Sequence, residues 1–213
     1  MEDKLRKALL DWFDENGRKF YWRNNCDSYG ILIAEILLKK TTANAVDHFL
    51  PFFLEHYPNM ESLENESSTK LQEFLTPLGL SKQRSAQLKN LAQKLNQLYR
   101  GIIPCNKEDL LKLPGVGDYT AGAFLSFACD APEAIVDVNI ARLITRIFGI
   151  KPSHCEARRS PEVWEKARQL VGQNGTVSKK INWALLDLAA TVCKAKNPLH
   201  TSCPVKRCCI SFD

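Results

Sequence analysis

Two carboxylates and a cluster of thiols are the residues of this chain best suited to chemistry. Glu35 is the only charged side chain in the run Tyr29-Gly-Ile-Leu-Ile-Ala-Glu-Ile-Leu-Leu38. A helix that is apolar nearly all round belongs in a core. Loss of water there raises a carboxyl pKa, which suits a proton donor near neutral pH. On a single wet face of the helix, or in a structural hydrogen bond, the same residue would be chemically idle. Asp137 lies in Ala134-Ile-Val-Asp-Val-Asn139, just before Ile140, Leu143, Ile144 and Ile147 at helical spacing. It reads as a helix N-cap. A helix N-terminus also favours an ionised carboxylate, so the same group could face a cationic transition state. Four of the eight cysteines fall between Cys193 and Cys209, while Cys26, Cys105, Cys129 and Cys155 are scattered. With no export signal at the N-terminus, that clustering points to a metal centre rather than disulfides. Cys193, His200, Cys203 and Cys209 are spaced x6, x2 and x5, with Cys208 to spare. A Cys3His zinc site fits this donor set.

The elements that must carry these residues are helical almost throughout. From Ser81 to Tyr99 the apolar residues Leu88, Leu91, Ala92, Leu95 and Leu98 mark one helix face, and Gly101 stops it. Ser160-Pro161 opens another helix, and Ile181, Leu185, Leu188, Ala189 and Val192 lead a third into the cysteine cluster. No period-2 strand appears, so the expected class is all-α. Asn106 can cap a short helix, after which Pro114-Gly-Val-Gly-Asp118 must turn the chain before Tyr119-Thr-Ala-Gly-Ala-Phe resumes a helix. Gly115 and Gly117 allow positive φ and bare N–H groups around Val116, which at a helix start form an anion site suited to a DNA phosphate. The chain has 213 residues, 45% of them apolar, and a net charge of +5. A substantial core follows, and disorder is excluded. The charge is compatible with nucleic acid without demanding it. No run is long enough to span a membrane, so the expected compartment is the cytoplasm.

Leu113-Pro-Gly-Val-Gly117, followed by Val136-Asp137, resembles the hairpin-Gly/Pro-Asp module of the helix-hairpin-helix base-excision glycosylases. From Phe20 to Cys209 the chain is similar to the branch holding endonuclease III, the MutY-type adenine glycosylases and the thymine mismatch glycosylases. Tyr21-Trp-Arg23 and Ile33-Ala-Glu-Ile-Leu-Leu-Lys-Lys-Thr-Thr42 resemble the last group most closely. The resemblance implies a two-lobed helix-hairpin-helix DNA glycosylase fold with a C-terminal iron–sulfur loop. A helical barrel is expected over 22–130, and a second domain from 1–21 with 131–213. It implies that Glu35 supplies a proton or orders the attacking water, and that Asp137 stabilises an oxocarbenium-like sugar. Tyr119 stands where endonuclease III-like enzymes carry a nucleophilic lysine. A phenol cannot form a Schiff base, so an intact abasic site is expected. Lys40 matches the side chain that fills the hole left by a flipped base, and Leu80 the wedge on the opposite strand. Lys82, Arg84 and Lys89 are expected to meet phosphates. Cys193, His200, Cys203 and Cys209 match the loop that holds a [4Fe–4S] cluster, with His at the second place; zinc is the alternative.

The resulting expectation is a monomeric, monofunctional enzyme acting on duplex DNA and releasing thymine or uracil opposite guanine. An adenine glycosylase acting opposite 8-oxoguanine is the rival enzyme. Against it, the sequence ends four residues past Cys209, leaving no room for a further 8-oxoguanine-reading domain. A non-catalytic mismatch binder using only the hairpin is the rival from another class, and it would need neither Glu35 nor Asp137.

Overall fold

Side chains that cap and stop helices cut this chain into short helical pieces. Asp27, Thr42, Asn59, Ser67, Asn106, Asp137 and Asn174 each accept a backbone N–H from the helix they precede. At other ends, Arg100 and Gly149 take left-handed backbone and stop their helices. The protein, seen as a computed structural model, is described over residues 2–212. The described residues form an all-α structure: α1 Glu2–Asn16, α2 Tyr21–Asn24, α3 Ser28–Leu37, α4 Ala43–His56, α5 Met60–Asn65, α6 Ser68–Phe74, α7 Ser81–Tyr99, α8 Lys107–Leu111, α9 Asp118–Ala128, α10 Val138–Phe148, α11 Pro161–Val171 and α12 Gly175–Thr191. Short 3-10 turns join some of them. No helix among the described residues is long and apolar enough to cross a membrane.

Lys19–Cys129 gathers into one compact unit, and Met1–Arg18 with Asp130–Asp213 into another. In the first, α3 is the central element: Tyr29 to Leu37 are all buried, and the helix packs on α2, α4 and α9. Ala121, Gly122 and Ala123 of α9 are buried too, and their small size lets α3 approach closely. α7 lays Leu88, Leu91, Ala92 and Leu95 against α5 and α6. In the second unit, α12 packs on α1, α10 and α11. Asp187 of α12 is fully buried and accepts the backbone N–H and the Nε of Arg18, both at 2.7 Å. Ser160 stands at the N-cap of α11 as its Ser-Pro signal indicates, but its hydroxyl accepts the N–H of His154 instead of capping.

Cys105 and Cys129, two of the scattered cysteines, are joined in a disulfide across 24 positions. The bond encloses α8, the hairpin and α9, so a covalent ring surrounds the whole motif. Closing a loop of this length removes about 3 kcal/mol of chain entropy from the unfolded state. Replacing both cysteines by serine is expected to lower the unfolding free energy in urea by about that amount, and reductant should lower the unaltered protein to the same value. Coincident urea midpoints for oxidised and serine-substituted protein would show that the ring adds no stability.

Candidate active site

The apolar character of α3 places Glu35 in the core with 5% of its surface exposed. Burial pushes its carboxyl up to about 7, against the opposing pull of Lys39 and Arg23. Lys39 lies one helical turn further on, and its ammonium donates to the Gly115 carbonyl of the hairpin. Burial lowers the Lys39 pKa, and Glu35 partly offsets this. Arg23 lies on α2 above the Phe20 ring, at 5.1 Å from its centroid, and Phe20 itself stacks on Trp22 at 4.5 Å. Sequence reasoning gave neither Lys39 nor Arg23 a role. The i, i+4 spacing of Glu35 and Lys39 was the available signal for the first.

In the hairpin, Gly115 has φ of +77°, a conformation that favours glycine. Gly117 does not share it: its φ is −103° and its ψ −179°, which correct the expectation of positive φ at both glycines. What Gly117 contributes is space, since an added Cβ would meet nothing within 4 Å. α9 therefore begins with its first turn uncapped by any side chain and with open room before it. Val116 is a core residue, 6% exposed, and its N–H donates to Leu113 O at 3.1 Å. That corrects its expected contact with DNA: the side chain pins the hairpin, and the N–H is already committed. Tyr119 is half-buried in the first turn of α9.

Lys40 and Leu80, the two residues expected to enter the duplex, are both exposed and both left-handed, with φ of 58° and 52°. Lys82 is exposed as well. Arg84 is not. It is 4% exposed, and its guanidinium donates to Leu37 O at 3.0 Å, Lys39 O at 2.8 Å and Thr41 Oγ1. The expectation that Arg84 meets a phosphate is corrected, because the free carbonyls at the end of α3 outcompete solvent for its fork of donors. Lys89 is likewise committed, to the carbonyls of Glu64 and Glu66.

Asp137 caps α10 in the second unit. Its Oδ1 accepts the N–H groups of Asn139 at 2.9 Å and Ile140 at 2.7 Å, and its Oδ2 accepts Asn139 Nδ2 at 2.8 Å. Arg142 Nη1 in turn donates to Asn139 Oδ1 at 2.9 Å. Three donors thus fix the carboxylate at the start of α10. Sequence reasoning read the cap and missed Asn139 and Arg142 behind it.

Cys193, His200, Cys203 and Cys209 line one cavity of about 210 Å³, closed by Leu143, Val192, Leu199 and Phe212. Cys208 is not part of that lining. Burial raises the thiol pKa of Cys203, and Cys193 and Cys209 raise it further. Arg146 Nη1 donates to Cys193 Sγ at 3.4 Å. Among the described residues, no three His, Cys, Asp or Glu side chains are drawn together as a single ion requires. Four donors spread around a cavity fit a larger group, whose ligands stand further apart than those of one tetrahedral ion.

Comparison with known proteins adds three findings. Residues 33–169 match the HhH-GPD superfamily of base excision DNA repair proteins. The chain is 39% identical to a thymine-DNA glycosylase of Aeropyrum pernix, over 99% of this chain and 95% of that one, and 38% identical to a thymine/uracil-DNA glycosylase of Pyrobaculum aerophilum, over 95% and 88%. Its structure superposes on that of a thermostable thymine-DNA glycosylase with a TM-score of 0.90 and 32% identity, covering 99% of this chain and 96% of the other.

The geometry of Glu35 has a consequence for stability. Its carboxyl ionises at about 7 in the fold and near 4.5 when free. A group raised in this way stabilises the fold while protonated, and that stability is lost as pH rises from the unfolded value through the folded one. Glu35→Gln is expected to make the protein more stable at pH 8 by about 3 kcal/mol, with little effect at pH 4. Urea unfolding at both pH values checks this; an equal difference at the two would show that the carboxyl is not held protonated.

Proposed function

The chain belongs to the HhH-GPD superfamily of base excision DNA repair proteins and is a DNA glycosylase; on that footing we propose that it hydrolyses thymine or uracil from mispairs with guanine in duplex DNA, leaving the strand intact. The observation that carries the mechanism is Glu35, a carboxyl buried in α3 and half-protonated near pH 7. The named substrates of the two relatives support the choice of base. Tyr119 supports the hydrolytic outcome, because a phenol cannot form the imine through which a lysine leads to strand cleavage.

The reaction asks two things of carboxyl groups. As the C1′–N bond breaks, its electron pair leaves with the base, and the base must be neutralised. Glu35 gives up its proton for this, directly or through water. The sugar is left oxocarbenium-like and must be stabilised until water adds at C1′. Asp137 is suited to that part, since its cap bonds fix its orientation. The proton lost by the added water restores Glu35. The nucleotide reaches these groups by flipping out of the helix. Lys40 fills the gap, Leu80 enters the stack, and Lys82 and the uncapped start of α9 with Gly115 and Gly117 take phosphates.

The same reading gives Cys193, His200, Cys203 and Cys209 to a [4Fe–4S] cluster. When bound, such a cluster supplies a rigid cross-link of soft thiolates and imidazole. Arg146 holds the Cys193 sulfur, and the anchored loop presents Lys206 and Arg207 to the DNA backbone.

Duplexes carrying T:G, U:G, A:8-oxoguanine or hypoxanthine mispairs, treated with protein and then alkali, test the substrate. Release is expected from T:G and U:G, and a higher kcat/KM on adenine would reverse the reading. Borohydride should trap no covalent adduct. Single-turnover release should fall above pH 7, and Glu35→Gln should remove most of the activity. Asp137→Asn keeps a capping side chain yet should lose roughly a hundredfold in rate or more. Anaerobically purified protein should contain about four irons per chain with a broad visible band, and His200→Ala should retain less. One zinc and no colour would overturn the cluster.

A further inference from the structure

We propose that Arg84 is a positioning residue that sets both duplex-opening residues, Lys40 and Leu80, through one side chain and its own backbone. The inference rests on the glycosylase reading given above, which assigns those two residues to the DNA. Lys40 and Leu80 come from separate segments, one after α3 and one before α7, yet both hold left-handed backbone. For a residue with a Cβ that conformation is strained, so each must be held there by something else.

Arg84 touches what holds both. Its guanidinium donates to Leu37 O and Lys39 O on the near side of Lys40 and to Thr41 Oγ1 on the far side. The turn carrying Lys40 is therefore bracketed by one planar fork. The backbone N–H of Arg84 donates to Leu80 O at 2.9 Å, the first bond of α7, which any residue here would make; what the arginine side chain adds is to tie that first turn, and Leu80 with it, to the turn carrying Lys40. Gly79 precedes Leu80 with φ of 72°, and an added Cβ there would meet nothing within 4 Å. The spacing between the two protruding side chains is thus set by a single buried arginine 4% exposed. A lysine has its three donors on one nitrogen rather than on a planar fork, so it does not reproduce the spread by which Nη1 and Nη2 reach acceptors on both sides of Lys40.

The test is a double-mutant cycle read in single-turnover base release from a U:G duplex, using the full chain. Leu80→Ala alone and Arg84→Gln alone are each expected to slow release by about tenfold or more. If Arg84 acts through Leu80 and Lys40, then adding Leu80→Ala or Lys40→Ala to Arg84→Gln should cost less than about threefold more. A second readout uses a duplex with 2-aminopurine beside an uncleavable 2′-fluoro nucleotide. Arg84→Gln should bind it within a few-fold of the unaltered protein but give less than half the fluorescence rise that reports unstacking. Arg84→Lys should restore only part of it. Thr41→Val removes one acceptor of the fork from the half-exposed turn, and should give a smaller loss of the same kind if Arg84→Gln does not fold. Additive penalties, or an unchanged fluorescence rise in both Arg84→Lys and Thr41→Val, would overturn the proposal. Unaltered protein that neither unstacks the duplex nor releases uracil would instead overturn the glycosylase reading, and this proposal with it.

Discussion

Burying one carboxyl group in an otherwise apolar helix is expensive, and much of the first unit is arranged around that cost. Glu35 could not stay ionised in α3 without a price in stability, and the fold leaves it near the midpoint of its titration rather than cancelling its charge. Lys39 and Arg23 are close enough to pull the pKa down, but they do not restore it to the ordinary carboxylate range. α3, which buries Glu35, packs directly on α9, whose Thr120 to Phe127 are themselves buried. The start of α9 is in turn the hairpin, and Lys39 links the end of α3 to the hairpin carbonyl at Gly115. Glu35 and the hairpin turn are therefore parts of one packed assembly.

In the second unit, Asp137 stays partly exposed at a helix start where N–H groups converge on it. Asn139 closes the remaining oxygen, and Arg142 fixes Asn139 while also donating to the carbonyls of Ala189 and Cys193. The orientation of the carboxylate is thereby tied to the helix that leads into the cysteine loop. Arg146, one turn beyond, reaches the Cys193 sulfur itself. Two arginines on α10 thus join the capped carboxylate to the cavity bearing the thiols.

What could be read from the amino acids was whatever depends on near neighbours. The caps at Asn106 and Asp137, the span of α7 and the burial of Glu35 all follow from patterns a few residues long, and all appear in the structure. Arg84 was misread because a basic residue in a basic, polar segment looks solvated. Only the fold reveals that Leu37 and Lys39, more than forty positions away, present carbonyls to it. The Cys105–Cys129 bond was hidden for the same reason, since no local pattern couples those two positions. Val116 and Gly117 show a subtler limit: the motif string identified the turn, but not which members face inward.

The pairing of α1 with α12 bears on the order in which the protein can assemble as it is made. Those helices open and nearly close the chain, and each buries its apolar face on the other. During synthesis α1 is made before Lys19–Cys129 and α12 after it, so until α12 is made Leu5 and Leu9 of α1 lack that cover. Lys19–Cys129 is complete well before then and has its own core, so it can fold while the ribosome is still working. The long sequence separation of α1 and α12 puts their docking among the slow steps, after that folding. Until α12 arrives, the folded unit is preceded by an amphipathic helix without that partner, a stretch open to chaperones and to wrong partners.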